Sequence, residues 1–206
     1  MDNYEISRDR AQRYFLGFDQ DELVKRWNLQ GDERNLYVDL CGVGYCIDRN
    51  SGAVFRQADG VAATYEQALS IFDLLCHRGE EKILSGSFAP VNSLRGNAAV
   101  GVTTNFHTAF AKRADKDPET FRSACLRCGG QILPIGDMGF RFPIFAELEV
   151  QLKFYHSDED FPASITLLWD ENMLRYVYYE TVFYIAAVLL RQLTETMNKI
   201  ASAPHS

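Results

Sequence analysis

Hydrophobic positions along the chain fall into blocks of two different periods, and blocks of like period cluster. Ile6, Ala11, Tyr14, Phe15 and Phe18 recur at helical spacing, so residues 4–18 are predicted to form a helix with one apolar face. Asp19 then caps a short helix over 20–27, with Glu22 positioned to close a capping box. Gly31 and Asp32 break the pattern, and alternation follows, with Leu36, Val38 and Leu40 set against Tyr37 and Asp39. Runs at 45–48 and 53–56 flank Arg49, Asn50, Ser51 and Gly52, a composition suited to the positive φ angles of a tight turn. Together these runs predict a three-stranded meander.

Thr64 opens another helix over 65–76, with Leu69, Phe72, Leu75 and Cys76 at helical spacing and Gly79 as its stop. Residues 80–100 are polar, Gly-rich and without period, which predicts a long loop of a kind that is often functional. Helices are expected at 104–113 and 118–128, the second capped by Asp117 with Pro118 in its first turn and ended by Gly129 and Gly130. Period two then returns. Phe140, Phe142 and Ile144 alternate with polar or small neighbours, as do Val150, Leu152 and Phe154, and Ile165, Leu167 and Trp169 form the partner strand across an acidic turn. The last block, from about Tyr176 to Met197, is apolar nearly all the way round and therefore reads as a buried helix.

Strands that come in two consecutive groups favour an α+β fold over a doubly wound parallel sheet. The expected architecture is one domain over residues 1–206: an antiparallel sheet of about five to six strands in two groups. It packs against the long C-terminal helix, with further helices before and between the strand groups.

Composition narrows the function classes. A net charge of −7 and pI near 5.1 disfavour nucleic acid and anionic membrane surfaces, both of which call for a basic patch. The apolar run near 181–190 is too short to span a bilayer, and the charged opening residues do not resemble a secretory signal. Five cysteines fit a reducing cytoplasm, and an odd number cannot all pair.

The second half of the chain resembles a prokaryotic family filed as the domain of unknown function 3786. The likeness rests on Gly136-Asp137, Phe140-Arg141-Phe142-Pro143, Tyr155 with the acidic turn Asp158-Glu159-Asp160-Phe161-Pro162, Leu168-Trp169-Asp170, and Tyr179-Glu180-Thr181. The first half matches more loosely, through the helical opening and Tyr45-Cys46-Ile47-Asp48. The resemblance implies an anaerobic bacterial or archaeal setting, and some relatives carry an iron–sulfur module. This chain has no run of four suitably spaced cysteines for such a cluster.

Candidate chemistry is sparse. Cys125 and Cys128 share a helix face and could supply half of a metal site, but small buried thiols at chance spacing are the commoner occurrence, so no metal is favoured. Asp158, Glu159 and Asp160 concentrate charge in one turn, which Phe161 and Pro162 are expected to pin against the core, and Asp137 lies between two glycines. Glu180 and Asp170 are the candidate acid–base groups, because a carboxyl buried beside the tyrosines at 176, 178, 179 and 184 would have a raised pKa. No nucleophile elbow, P-loop or dinucleotide fingerprint occurs, and no cofactor is indicated.

The leading functional reading is a cytoplasmic accessory domain that binds a small ligand, cofactor or protein partner, with Asp137, Asp158, Glu159, Asp160 and Tyr179 as the ligand-binding candidates. The alternatives are an enzyme using Glu180 or Asp170 as general acid or base, and a structural self-association module.

Overall fold

The computed structural model describes residues 3–78, 83–95 and 105–203. It divides into two compact units, each assembled from three chain segments. One comprises Met1–Ile83, Ile144–Glu147 and Leu174–Val188, and the other Leu84–Pro143, Leu148–Met173 and Leu189–Ser206.

The first unit opens with helices α1 (Asn3–Leu16) and α2 (Gln20–Trp27). Asp19 caps α2 by accepting from the backbone N–H groups of Asp21 and Glu22. The full reciprocal box forms one helix later, where Thr64 and Gln67 satisfy each other at the start of α3 (Tyr65–Cys76). Between α2 and α3 runs an antiparallel meander, β1 (Gln30–Gly31), β2 (Asn35–Leu40), β3 (Val43–Asp48) and β4 (Val54–Arg56), in sequential order. The expected three strands are thus four, since the two-residue β1 is too short to carry a period. Cys41 and Gly42 link β2 to β3 with φ angles of 52° and 75°, as a two-residue hairpin turn with left-handed backbone requires. Leu36, Val38 and Leu40 turn inward along β2. The helices close over the core through Phe15 against Phe72, 5.3 Å between ring centres, and through the Trp27 indole N–H, which donates to the Leu75 carbonyl.

The second unit holds the other sheet, ordered β5-β9-β8-β7-β6, from β5 (Phe88–Pro90), β6 (Gln131–Leu133), β7 (Met138–Phe145), β8 (Leu148–Tyr155) and β9 (Ser164–Asp170). Leu148, Val150, Leu152 and Phe154 are buried while their alternate neighbours are not, so β8 has the expected period. Helices α4 (Asn105–Lys116) and α5 (Pro118–Arg127) accompany this sheet, and Asp117 caps α5 by accepting from Thr120. Phe121 of α5 is fully buried, within 5.8 Å of the rings of Phe110 and Phe140 and 5.3 Å of Phe154.

Two stretches to which the period assigns no strand contain one each, the first of them expected as a loop. Part of the 80–100 segment is β5 followed by a 3₁₀ turn (Val91–Arg95), and β6 follows Gly130. Both are three-residue edge strands, and Pro90 is tolerated because an edge strand has backbone groups that need no partner. Gly79 lies outside the described residues. The last helix, α6 (Tyr179–Ala201), starts three residues later than expected. Val182, Ile185, Leu189, Leu193 and Met197 are buried along one face while Glu180, Arg191 and Glu195 are exposed, so α6 is amphipathic rather than apolar all round. Among the described residues no helix is long and apolar enough to cross a membrane.

A single-domain chain should unfold in one transition by both fluorescence and circular dichroism. Phe121→Ala should lower its midpoint by an amount equivalent to about 3–5 kcal/mol, measured by urea denaturation.

Candidate functional site

Asp170 ends β9 and is 2 % exposed. Its Oδ1 accepts from the Ser85 N–H and hydroxyl, both at 3.0 Å, and from the Asn172 N–H at 2.8 Å, while Oδ2 accepts from the Gly86 N–H at 2.8 Å. Burial alone would raise its pKa, but these bonds outweigh that effect and hold the carboxyl below its ordinary value. An ionised carboxylate that accepts these four hydrogen bonds ties the segment before β5 to β9. It is not poised to exchange protons.

The acidic turn is organised locally. Asp158 accepts from the N–H groups of Asp160 and Phe161, and Glu159 and Asp160 face solvent. Phe161 is 70 % exposed, so it does not pin the turn against the core. That task falls to Asp115 on α4, which accepts from His156 Nδ1 at 2.8 Å, from the Ser157 N–H at 3.2 Å and from the Ser157 hydroxyl at 2.5 Å. Asp137 supports the same corner by accepting from the His156 N–H at 2.8 Å. A glycine is needed just before it. Gly136 has φ of 64°, and a Cβ there would lie 2.6 Å from the Phe154 carbonyl oxygen. Asp137 and the turn are therefore neighbours through His156, whereas Asp170 lies at the other end of the β8–β9 hairpin, where Val150 pairs with Trp169.

On α6, Tyr179 stacks edge-on with Phe183 at 5.2 Å, and Glu180 is exposed, so burial as a condition for acid–base chemistry is not met by Glu180. Cys125 and Cys128 are buried at the end of α5, and burial raises both thiol pKa values, keeping them protonated. Cys128 Sγ lies 3.3 Å from the Thr196 hydroxyl. Among the described residues no group of three or more His, Cys, Asp or Glu side chains is placed to hold a metal ion.

A different place collects reactive groups around an open volume. In the first unit, one face of α1 and one face of α3 line a cavity of about 680 Å³ together with Tyr178. From α3 come Leu69, Asp73, Cys76 and His77, which lie three or four residues apart and so on one side of the helix. Opposite them α1 presents Arg10, Ala11, Arg13 and Tyr14. Asp73 Oδ2 accepts a short hydrogen bond from the Thr181 hydroxyl, while Oδ1 has no hydrogen-bond partner among the described residues. Burial raises the Asp73 pKa, the Thr181 bond opposes the rise, and the nearby charge of Glu180 adds to it. Cys76 is pushed up to about 12, first by burial and then by the charge of Asp73, so it is a thiol rather than a nucleophilic thiolate at neutral pH. His77 is buried and meets the Tyr178 ring edge-on at 4.6 Å.

A family model described as a domain of unknown function (DUF3786) matches residues 19–192, which include all of α3. The chain belongs to the DUF3786 family. No curated protein and no solved structure matches it. Within the DUF3786 match lie Asp73, Cys76, His77 and Tyr178, whereas the α1 wall of the cavity precedes it.

The helical period of α3 in this DUF3786 domain is carried by its apolar positions, and the side chain that distinguishes the cavity wall is the exception to them. Asp73 is the lone charge between Ala68 and Cys76, eight of whose nine residues are buried. A carboxylate one helical turn from Leu69 and from His77 on such a helix was the available signal. Asp115 had none, since its partner His156 is 41 residues away.

The two carboxylates predict opposite behaviour. The lowered pKa of Asp170 means that its stabilisation is present above its unfolded-state pKa and lost as pH falls through the folded one. Asp170→Asn should therefore cost about 1–3 kcal/mol at pH 7, with the difference from wild type shrinking in acid. The raised pKa of Asp73 favours folding below its unfolded-state pKa, and this advantage is lost as pH rises through the folded one. Asp73→Asn keeps an acceptor for Thr181 and should be neutral or stabilising at pH 8. Thermal melts of both variants from pH 4 to 8 check the pair, and a destabilised Asp73→Asn at pH 8 would refute the assignment.

Proposed function

We propose that this DUF3786 domain is a cytoplasmic binding module for a small organic molecule, and that the molecule occupies the cavity between α1 and α3. The observation that carries the reading is the cavity itself: about 680 Å³, within the roughly 300–1,000 Å³ of small-molecule sites, with apolar walls and few polar groups. Leu69, Ala11 and the two tyrosine rings supply the apolar contact, and Asp73, Arg10 and Arg13 supply orientation. The compartment is supported by all five cysteines being free thiols.

One observation favours an acid–base enzyme as the second reading. Asp73 is a largely buried carboxyl with a raised pKa and an oxygen left over, which are the properties a general acid or base needs. The role sought at Glu180 or Asp170 would then belong to Asp73.

Anilinonaphthalene sulfonate, an apolar anion, is a direct probe of the cavity. Wild-type protein should enhance its fluorescence with saturation, and Ala11→Trp, which places an indole in the space, should weaken binding about tenfold while leaving a cooperative thermal melt. Equal binding by the two proteins would sink the reading.

A further inference from the structure

The cavity has charge of both signs, and the two signs sit on different walls. Arg10 and Arg13 stand one turn apart on α1 and both line the space, with Arg13 Nε also donating to the Asp9 carbonyl of the same helix. Asp73 stands on α3, and among the described residues neither arginine forms an ion pair with it. The other titratable or charged groups near Asp73 and its neighbour Cys76 are Glu180, Arg26, Arg78, Tyr178 and, one turn along the helix and lining the same space, His77. Asp73 keeps Oδ1 available beside the apolar side chain of Leu69. Tyr14 and Tyr178 line the same cavity, yet they are 48 % and 51 % exposed, an unusual disposition for two large rings flanking a pocket.

Each simple ligand leaves one wall unanswered. An anion would answer the arginines but be repelled by an ionised Asp73, and an amine would answer Asp73 while leaving the two guanidinium groups without an anionic partner. A sugar stacks an apolar face on tyrosine rings but brings no charge to answer Asp73 or the arginines. A molecule that carries an ammonium, a carboxylate and an aromatic ring satisfies all three. We infer that the occupant is a zwitterion of the amino-acid type with an aromatic side group, an inference that rests on the binding role proposed above. Its ammonium donates to Asp73 Oδ1 and its carboxylate accepts from Arg10 and Arg13. Its ring lies against Leu69, Tyr14 and Tyr178.

Burial also gives the ammonium a specific task. Asp73 is costly to ionise in the empty cavity, and a cation beside it offsets that cost, so binding should draw Asp73 into its ionised form. Zwitterion affinity should accordingly fall in acid, where Asp73 holds its proton.

The test uses the full chain and three indoles: L-tryptophan, tryptamine, which lacks the carboxylate, and indole propionate, which lacks the amine. Each is titrated by calorimetry and by displacement of anilinonaphthalene sulfonate. L-tryptophan should bind tightest. Asp73→Asn should weaken L-tryptophan and tryptamine about tenfold or more and leave indole propionate unchanged or improved. Arg10→Gln with Arg13→Gln, both at exposed positions, should weaken L-tryptophan and indole propionate and spare tryptamine. Equal binding of all three indoles, or failure of all three to displace a probe that Ala11→Trp excludes, would overturn the zwitterion and leave the cavity as a binding site. If the probe itself ignores Ala11→Trp, the binding reading falls first, and the zwitterion with it.

Discussion

Asp170 leaves water at the end of its strand and is met there by three backbone N–H groups and a hydroxyl. A carboxylate moved into a poorly solvating interior must recover the hydrogen bonds it had in water, or else keep its proton. At Asp170 the recovery is complete, and the result is an ionised, fixed group that holds an edge strand in place. At Asp73 it is half complete. Thr181 occupies one oxygen, the other has no hydrogen-bond partner among the described residues, and the pKa moves up instead of down. The same side-chain type under the same constraint thus gives a structural pin in one unit and a carboxyl with a raised pKa in the other.

That difference is the reason the proposed site is placed at Asp73 rather than at Asp170. Asp170 already accepts four hydrogen bonds that hold its own strand end, whereas Asp73 has an acceptor without a partner among the described residues and an energetic reason to gain a cationic one. Its surroundings fit the same role. Arg10 and Arg13 lie across the space on α1, and two partly exposed tyrosines flank it. The acidic turn that stood out by composition does different work, because its charges serve the backbone: Asp158 closes its own turn, and Asp115 and Asp137 hold His156 and Ser157.

Much of the fold was legible in particular residues. Asp19, Thr64 and Asp117 marked helix starts because a side-chain acceptor meets orphan N–H groups within three residues, a relation that sequence spacing contains. The alternation of Val150, Leu152 and Phe154 gave β8 its inward face, since a half-buried strand must alternate. The edge strands β5 and β6 were not legible. Three residues hold less than two periods, and what orders β5 is a carboxylate some 85 positions later in the chain.

Local order, then, was written into the chain itself: the helices and their caps, the long strands, the inward side chains of each, and the family. These follow from periods and neighbours within a few residues, where geometry is nearly invariant. Only the tertiary structure decided which carboxyl has its pKa raised and which is held ionised as a pin. Ionisation depends on the donors that reach an oxygen, and those donors come from distant segments: Ser85 to Asp170, His156 to Asp115, Thr181 to Asp73. The cavity arises in the same way. No local pattern of α1 or α3 encodes it, because an open space between two helices is a property of their packing and of neither sequence alone.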